Sequence, residues 1–272
     1  MRALVFAALS LPLSLAASLA NADAFDRLLT ALKIDEVVDI LIEEGTASGL
    51  SLEESMFPGR GGPAWEAEIA RIYDAETHAA LIRSEMDTRL EGTDLAPLVA
   101  FLESETGAQI MALEVSARRA FIDPEMETIA SELFAGAEEE TPELHAQVME
   151  FTEVNDLVGQ NVEGAFRSNA AFALGAHEAG AFPGATVDQV IARLWAGDEA
   201  VEADVSDWLY AYLMTAYKPL PPEDLDAYIA LSRSDEGQAL NQAIMGSFDR
   251  LFSEISYDLG SAAGRFMAQQ DL

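Results

Sequence analysis

The chain contains no cysteine, three histidines, and only 15 basic residues against 48 acidic ones. Without cysteine there are no disulfides, thiolate metal sites, thiol nucleophiles or iron–sulfur clusters. Small domains in oxidising compartments depend on disulfides, whereas a chain of 272 residues can bury a core without them. The shortage of Lys and Arg leaves a formal net charge of −33. Such a surface repels nucleic-acid phosphates, whose affinity for proteins comes largely from basic side chains. It also repels anionic lipid headgroups. Neither a nucleic-acid partner nor a stable membrane anchor is therefore expected. The charge favours solubility, cations and basic partners, and it suits a salty medium that screens repulsion within a few ångströms. Weak binding of divalent cations is expected from so many carboxylates. Half of the residues are hydrophobic, which separates this composition from that of a disordered acidic chain.

Motifs that carry chemistry are scarce as well. His78, His145 and His177 do not form a His-Glu-x-x-His pair, so zinc-protease geometry is missing. Each lies within two residues of a glutamate (Glu76, Glu143 and Glu178), as chance provides in so acidic a chain. There is no Gly-x-Ser-x-Gly elbow, no phosphate-binding glycine loop and no calcium loop. Carboxylate pairs are too numerous for sequence to single one out. No catalytic residue, metal site or cofactor is predicted, and the ligand-binding residues stay unknown.

The N-terminus carries a recognisable signal. Met1-Arg2 precedes an apolar run from Ala3 to Ala20 that ends in Ala20-Asn21-Ala22. A positive start, an apolar stretch and a small-x-small ending make a secretory signal peptide over residues 1–22, cleaved between Ala22 and Asp23. Pro12 and several polar residues interrupt the run, which is short for a membrane span. The expected location is periplasmic or secreted.

Beyond residue 22 the chain reads as helix throughout. Phe25, Leu28, Leu29 and Leu32 occupy one helical face, and Val37, Val38, Leu41 and Ile42 restart the stripe after Asp35, read as an N-cap. A loop begins near Met56, where Pro58, Gly59, Gly61 and Gly62 cluster. Further stripes run from Trp65 to Leu90, over Asp94–Glu103, and from Ser104 to Phe121, closing at Leu133 and Phe134. Asp123-Pro124 and Thr141-Pro142-Glu143 carry cap-then-proline signatures of helix starts. Glu138-Glu139-Glu140 reads as a solvated connector. From Thr141 one long helix reaches toward Leu174. Residues 187–195, 201–217 and 224–231 are helical, and Ser234 caps a last helix through Phe252 and Ile255. Tyr210, Tyr212 and Tyr217 cannot share one face, which predicts exposure for some of them. Nothing alternates like a strand.

The second half restates the first. Residues 94–110 align without gaps to 224–240, with Asp, Leu, Ala, Ser and Gly identical. Trp65 meets Trp195 at the same offset of 130, and Phe57-Pro58-Gly59 recurs as Phe182-Pro183-Gly184. Several matches in one order suggest duplication of a helical unit, so the expected fold is an all-α bundle of two similar repeats, residues 23–140 and 141–272. At the heart of the repeat is Ser-x-x-Gly, as Ser104 with Gly107 and Ser234 with Gly237. Serine caps the incoming helix. Glycine, costly inside a helix, marks a close approach.

Phe101-Leu-Glu-Ser104-Glu-Thr-Gly107 resembles the short helix, aromatic pair and Ser/Thr-x-x-Gly of the bacterial domain-of-unknown-function family 2059. The second copy departs from that pattern with Leu231-Ser232. The resemblance implies an all-helical fold and an envelope location, and lends no activity. The leading expectation is a non-enzymatic binding or interaction module for a protein or small apolar ligand. The alternatives are an enzyme with carboxylate or metal-assisted chemistry and a chaperone-like carrier of an apolar client.

Overall fold

The computed structural model describes residues 13–194 and 198–268. Among these residues there are helices and no strands. A first series comprises α1 (Leu13–Ala31), α2 (Ile34–Met56), α3 (Gly62–Ile72), α4 (Ala75–Arg89), α5 (Ala96–Leu102) and α6 (Glu105–Ala120). A connecting helix α7 (Pro124–Glu140) follows. The second series comprises α8 (Pro142–Val154), α9 (Leu157–Glu178), α10 (Val187–Leu194), α11 (Asp198–Tyr217), α12 (Pro222–Ser232) and α13 (Asp235–Ala268). Trp195, used in the sequence comparison, lies outside the described residues.

Within each series the neighbours follow one order. The first helix packs on the fifth, as α1 on α5 and α8 on α12, and the second on the third and fourth, as α2 on α3 and α4 and α9 on α10 and α11. The sixth helices also reach across: α6 lies on α11, and α13, packed along α9 of its own series, lies on α4 as well. These contacts knit most of the chain into one large hydrophobic core running from Phe25 to Ala263. Trp65 is fully buried and its indole N–H donates to the Gly49 carbonyl at 3.0 Å. Phe266, near the end of α13, stacks on Phe57 at 5.2 Å and meets Trp65 edge-on at 5.5 Å.

Local chemistry explains most of the boundaries. Asp74 and Asp123 cap α4 and α7 through their carboxylates, accepting from Thr77 N at 2.9 Å and Glu125 N at 3.0 Å. Ser104 Oγ accepts from Gly107 N at 3.1 Å and donates to the Phe101 carbonyl at 2.6 Å. Ser234 repeats both bonds, with Gly237 N at 3.0 Å and the Leu231 carbonyl at 2.6 Å. A Cβ on Gly107 would lie 2.1 Å from Phe101 O, and one on Gly237 would lie 2.0 Å from Leu231 O. The close approach therefore comes from the end of the preceding short helix, folded back over the first turn of the next.

Several expectations need correction. Lys33 (φ 55°), not Asp35, stands before α2, and Asp35 lies in its first turn. Thr141 precedes α8 but does not cap it; its hydroxyl donates back to the Ala137 carbonyl at 3.3 Å. Glu138-Glu139-Glu140 is exposed yet helical, the last turn of α7. The long helix from Thr141 is two helices, broken at Asn155-Asp156. Asp156 adopts a left-handed conformation (φ 48°), which aspartate tolerates. Asn155 is buried, and its carbonyl accepts from Gln160 Nε2 at 2.7 Å and Asn241 Nδ2 at 2.9 Å. Leu133 is exposed with Met126 and Ile129 along α7, while Phe134 turns inward onto Tyr210 at 5.1 Å. None of Tyr210, Tyr212 and Tyr217 is exposed, because α11 is wrapped by α6, α7, α8 and α9.

Gly107→Val and Gly237→Val should each destabilise the protein by about 2–3 kcal/mol, the cost of forcing atoms into a filled corner. For a chain of this size that lowers Tm by roughly 4–12 °C. Calorimetry on both variants checks this, and a Tm within a degree of wild type would show that the corner yields.

Candidate functional site

The apolar stripe of α13 faces the core through Leu251 and Ile255. Its next ridge, Met245, Phe248, Asp249 and Phe252, lines a cleft of about 880 Å³. These positions are spaced i, i+3, i+4 and i+7, so they share a face about two turns long. Val37 and Leu41 of α2 and Val205, Trp208 and Leu209 of α11 add apolar wall. Between them α9 offers Gly164, Ala165 and Ser168, small side chains that leave the space open. A Cβ on Gly164 would meet nothing closer than Asp249 Oδ1 at 3.6 Å. Phe252 is 43% exposed, although its place in the stripe reads as core. An exposed large aromatic in a concave apolar wall is the usual mark of a binding surface.

Polar groups stand around this wall. Arg118 of α6 pairs with Glu44, its Nη1 donating to Oε1 at 2.6 Å. Its guanidinium lies 5.2 Å from the centre of the Trp208 ring. Tyr212 stacks on Trp208 at 5.3 Å and Phe121 meets it edge-on at 5.7 Å, which fixes the indole. Asp249 is taken by Arg167, whose Nε donates at 2.8 Å. Glu127, Asp204 and Asp207 also line the cleft, and none of the three has an ion-pair partner among the described residues.

A second cleft, of about 760 Å³, lies between α3, α4, α9 and α13. At the offset of 130, its Asp74, Thr77 and His78 correspond to Asp204, Asp207 and Trp208. Here the charges are satisfied. Arg71 reaches Asp258 and Glu68, Arg250 pairs with Glu254, and Asp74 is occupied by Thr77. His78 is 5% exposed and its Nδ1 has no hydrogen-bond partner. Burial holds its pKa below the usual histidine value against the opposing pull of the Ile72 carbonyl, Asp74 and Glu254.

The other histidines sit in separate surroundings. His145 stacks on Phe134 at 5.8 Å, and His177 Nε2 lies 2.8 Å from the Ala185 carbonyl. Among the described residues no three of His, Asp and Glu are grouped to hold a metal ion. Ser104, Gly107, Ser234 and Gly237 form the two interhelical corners and do not line either cleft.

Sequence reasoning missed Glu114. It occupies an inward position of α6, on the face of Ile110, Ala117 and Phe121, which was the one available signal. Tyr217 of α11 donates to its Oε1 at 2.7 Å, and Tyr212 donates to its carbonyl oxygen at 3.2 Å. The Tyr228 hydroxyl of α12 also bears on its carboxyl. Burial pushes this carboxyl up to about 7, with the hydroxyls of Tyr217 and Tyr228 pulling the other way. Burial also raises the phenols of Tyr217 and Tyr228 well above their usual range. The result is a polar node joining α6 to α11 and α12.

Comparison of the chain with family models, curated proteins and solved structures returned no match.

The pH dependence of stability follows from the node. The carboxyl of Glu114 holds its proton more tightly in the folded state than in the unfolded one. Its contribution is therefore full below about pH 4.5 and is lost as pH rises toward about 7. Glu114→Gln should remove that loss, becoming more stable relative to wild type by at most about 3 kcal/mol between pH 4.5 and 8. Urea melts of both proteins at pH 4.5, 6 and 8 read this difference, and parallel curves would refute the raised pKa.

Proposed function

We propose that the chain is a non-enzymatic binding module of the bacterial envelope whose ligand occupies the cleft between α9, α11 and α13. The carrying observation is Phe252, a large aromatic left 43% exposed on an apolar ridge in the same cleft as Gly164. An apolar, concave wall of this size suits a small molecule with an apolar body.

Export and cleavage between Ala22 and Asp23 belong to the same reading. One observation supports it besides the N-terminal pattern: Ala22 and Asp23 are both exposed. Cleavage would leave Leu28, Leu29 and Leu32 in place, along with the Arg27–Glu103 pair. No helix among the described residues is long and apolar enough to cross a membrane.

The reading includes duplication of a six-helix unit and kinship with family 2059. Duplication draws support from the shared order of neighbours and from the matching Ser-x-x-Gly corners. Among the described residues two other than glycine are left-handed, Lys33 and Asp156, and both stand between the first and second helices of a series. Arg27 of α1 pairs with Glu103 after α5, while Glu150 of α8 pairs with Arg233 after α12. The joint is the same and the charges are exchanged.

An uncharged apolar fluorophore such as N-phenyl-1-naphthylamine tests the site. Its emission should rise saturably with the protein, and Gly164→Phe, which puts a ring into the cleft, should abolish the rise. Undiminished binding by that variant would place the ligand elsewhere. N-terminal sequencing of the protein recovered from the periplasm should begin at Asp23; a chain retaining Met1 would exclude cleavage.

A further inference from the structure

We infer that the ligand of this cleft is an amphiphilic cation, a molecule with an apolar body and a positively charged head. The inference rests on the binding function proposed above and adds the head group. It comes from the contrast between the two clefts. In the cleft of α3, α4 and α13 the protein supplies its own positive charges, so that Arg71 and Arg250 hold Asp258 and Glu254. Asp74 there spends its carboxylate on the free amide and hydroxyl of Thr77 at the start of α4.

In the cleft of α9, α11 and α13 the corresponding positions are charged and unanswered. Asp204 takes the place of Asp74, but α11 begins at Asp198. Asp204 therefore lies beyond the first turn, where backbone amides are already bonded within the helix. Asp207 takes the place of Thr77, so an acid replaces the donor. Glu127 adds a third carboxylate from α7. The nearby cations are engaged: Arg118 with Glu44 and Arg167 with Asp249 and Glu163. Three acids thus line one cleft without a basic partner, and a cation held there supplies the missing opposite charge. The wider field of a chain at −33 acts in the same direction, drawing cations in and turning anions away. His78, the counterpart of Trp208, is buried, whereas Trp208 already carries the Arg118 guanidinium over its ring. Its surroundings thus tolerate positive charge.

Three amphiphiles with one decyl tail separate head from body: decyltrimethylammonium, decyl maltoside and decyl sulfate, each titrated into the protein below its micelle concentration. The cation should bind with a stoichiometry of one, at least tenfold tighter than the neutral probe, and the sulfate weakest. The advantage should shrink in 0.3 M salt, as expected for partly exposed charges. Glu127→Gln/Asp204→Asn/Asp207→Asn should reduce the cation to the affinity of the neutral probe and leave the latter unchanged. Gly164→Phe should weaken both probes more than tenfold. Phe252→Ser, at a partly exposed position that no helix covers, provides a second variant expected to weaken both. Equal binding of cation and neutral probe, or a cation advantage that survives in the triple variant, would overturn the inference and leave the binding function standing. Neutral-probe binding that is absent, or indifferent to both Gly164→Phe and Phe252→Ser, would overturn the binding function itself. Circular dichroism and Tm confirm that each variant is folded.

Discussion

The contact of α9 with α13 organises the molecule. Gly175 would place a Cβ 2.2 Å from Tyr257 O, and Gly260 would place one 2.0 Å from Phe172 O. The two backbones touch, and glycine is the residue that allows it. This contact aligns α13 along α9 and lets it continue for 34 residues, about 50 Å, across the first series. Phe266 reaches Phe57 and Trp65 only because of that length. The same alignment turns Phe248 and Phe252 toward the gap beside Gly164, so one helix closes the core and opens the cleft.

Contacts between the two series have an energetic consequence. With α13 on α4 as well as on α9, and α6 on α11, the two series share apolar faces. The core is continuous rather than two cores joined by a linker. Glu114 sits at this crossing, where an α6 carboxyl is met by hydroxyls from α11 and α12. A buried carboxyl with partners on two other helices favours one register of that crossing, since an apolar residue there could slide without losing bonds.

Charge is handled unevenly over the surface. Most arginines answer a nearby acid across helices, as Arg27 does Glu103 and Arg233 does Glu150. These exposed pairs contribute little individually. With 15 basic residues for 48 acids, most carboxylates have no such partner. Where an unanswered group stands on an open convex face, water and salt suffice. Around a concave apolar wall they suffice less, because the wall displaces solvent and the charges focus on one volume.

Helical periodicity and capping chemistry are local, and they were legible. Phe25 to Leu32, Leu95 to Leu102 and the Ser104 and Ser234 corners follow from residues within a few positions of one another, and all are buried or bonded as the pattern requires. The all-helical class followed from the same signals. The break at Asn155-Asp156 was hidden because no glycine or proline marks it, and the turn depends on Asn241, which holds the Asn155 carbonyl from another helix. The exposure of Phe252 was hidden because periodicity reports a face and not what covers it. Glu114 was one acid among 48, and its environment comes from Tyr217 and Tyr228, far along the chain in α11 and α12. The sequence by itself determined helices, their corners and the sign of the charge, which depend on neighbours along the chain. Tertiary structure alone decided which carboxylates are answered and which apolar ridge stays open, because both depend on helices brought together from distant parts of the chain.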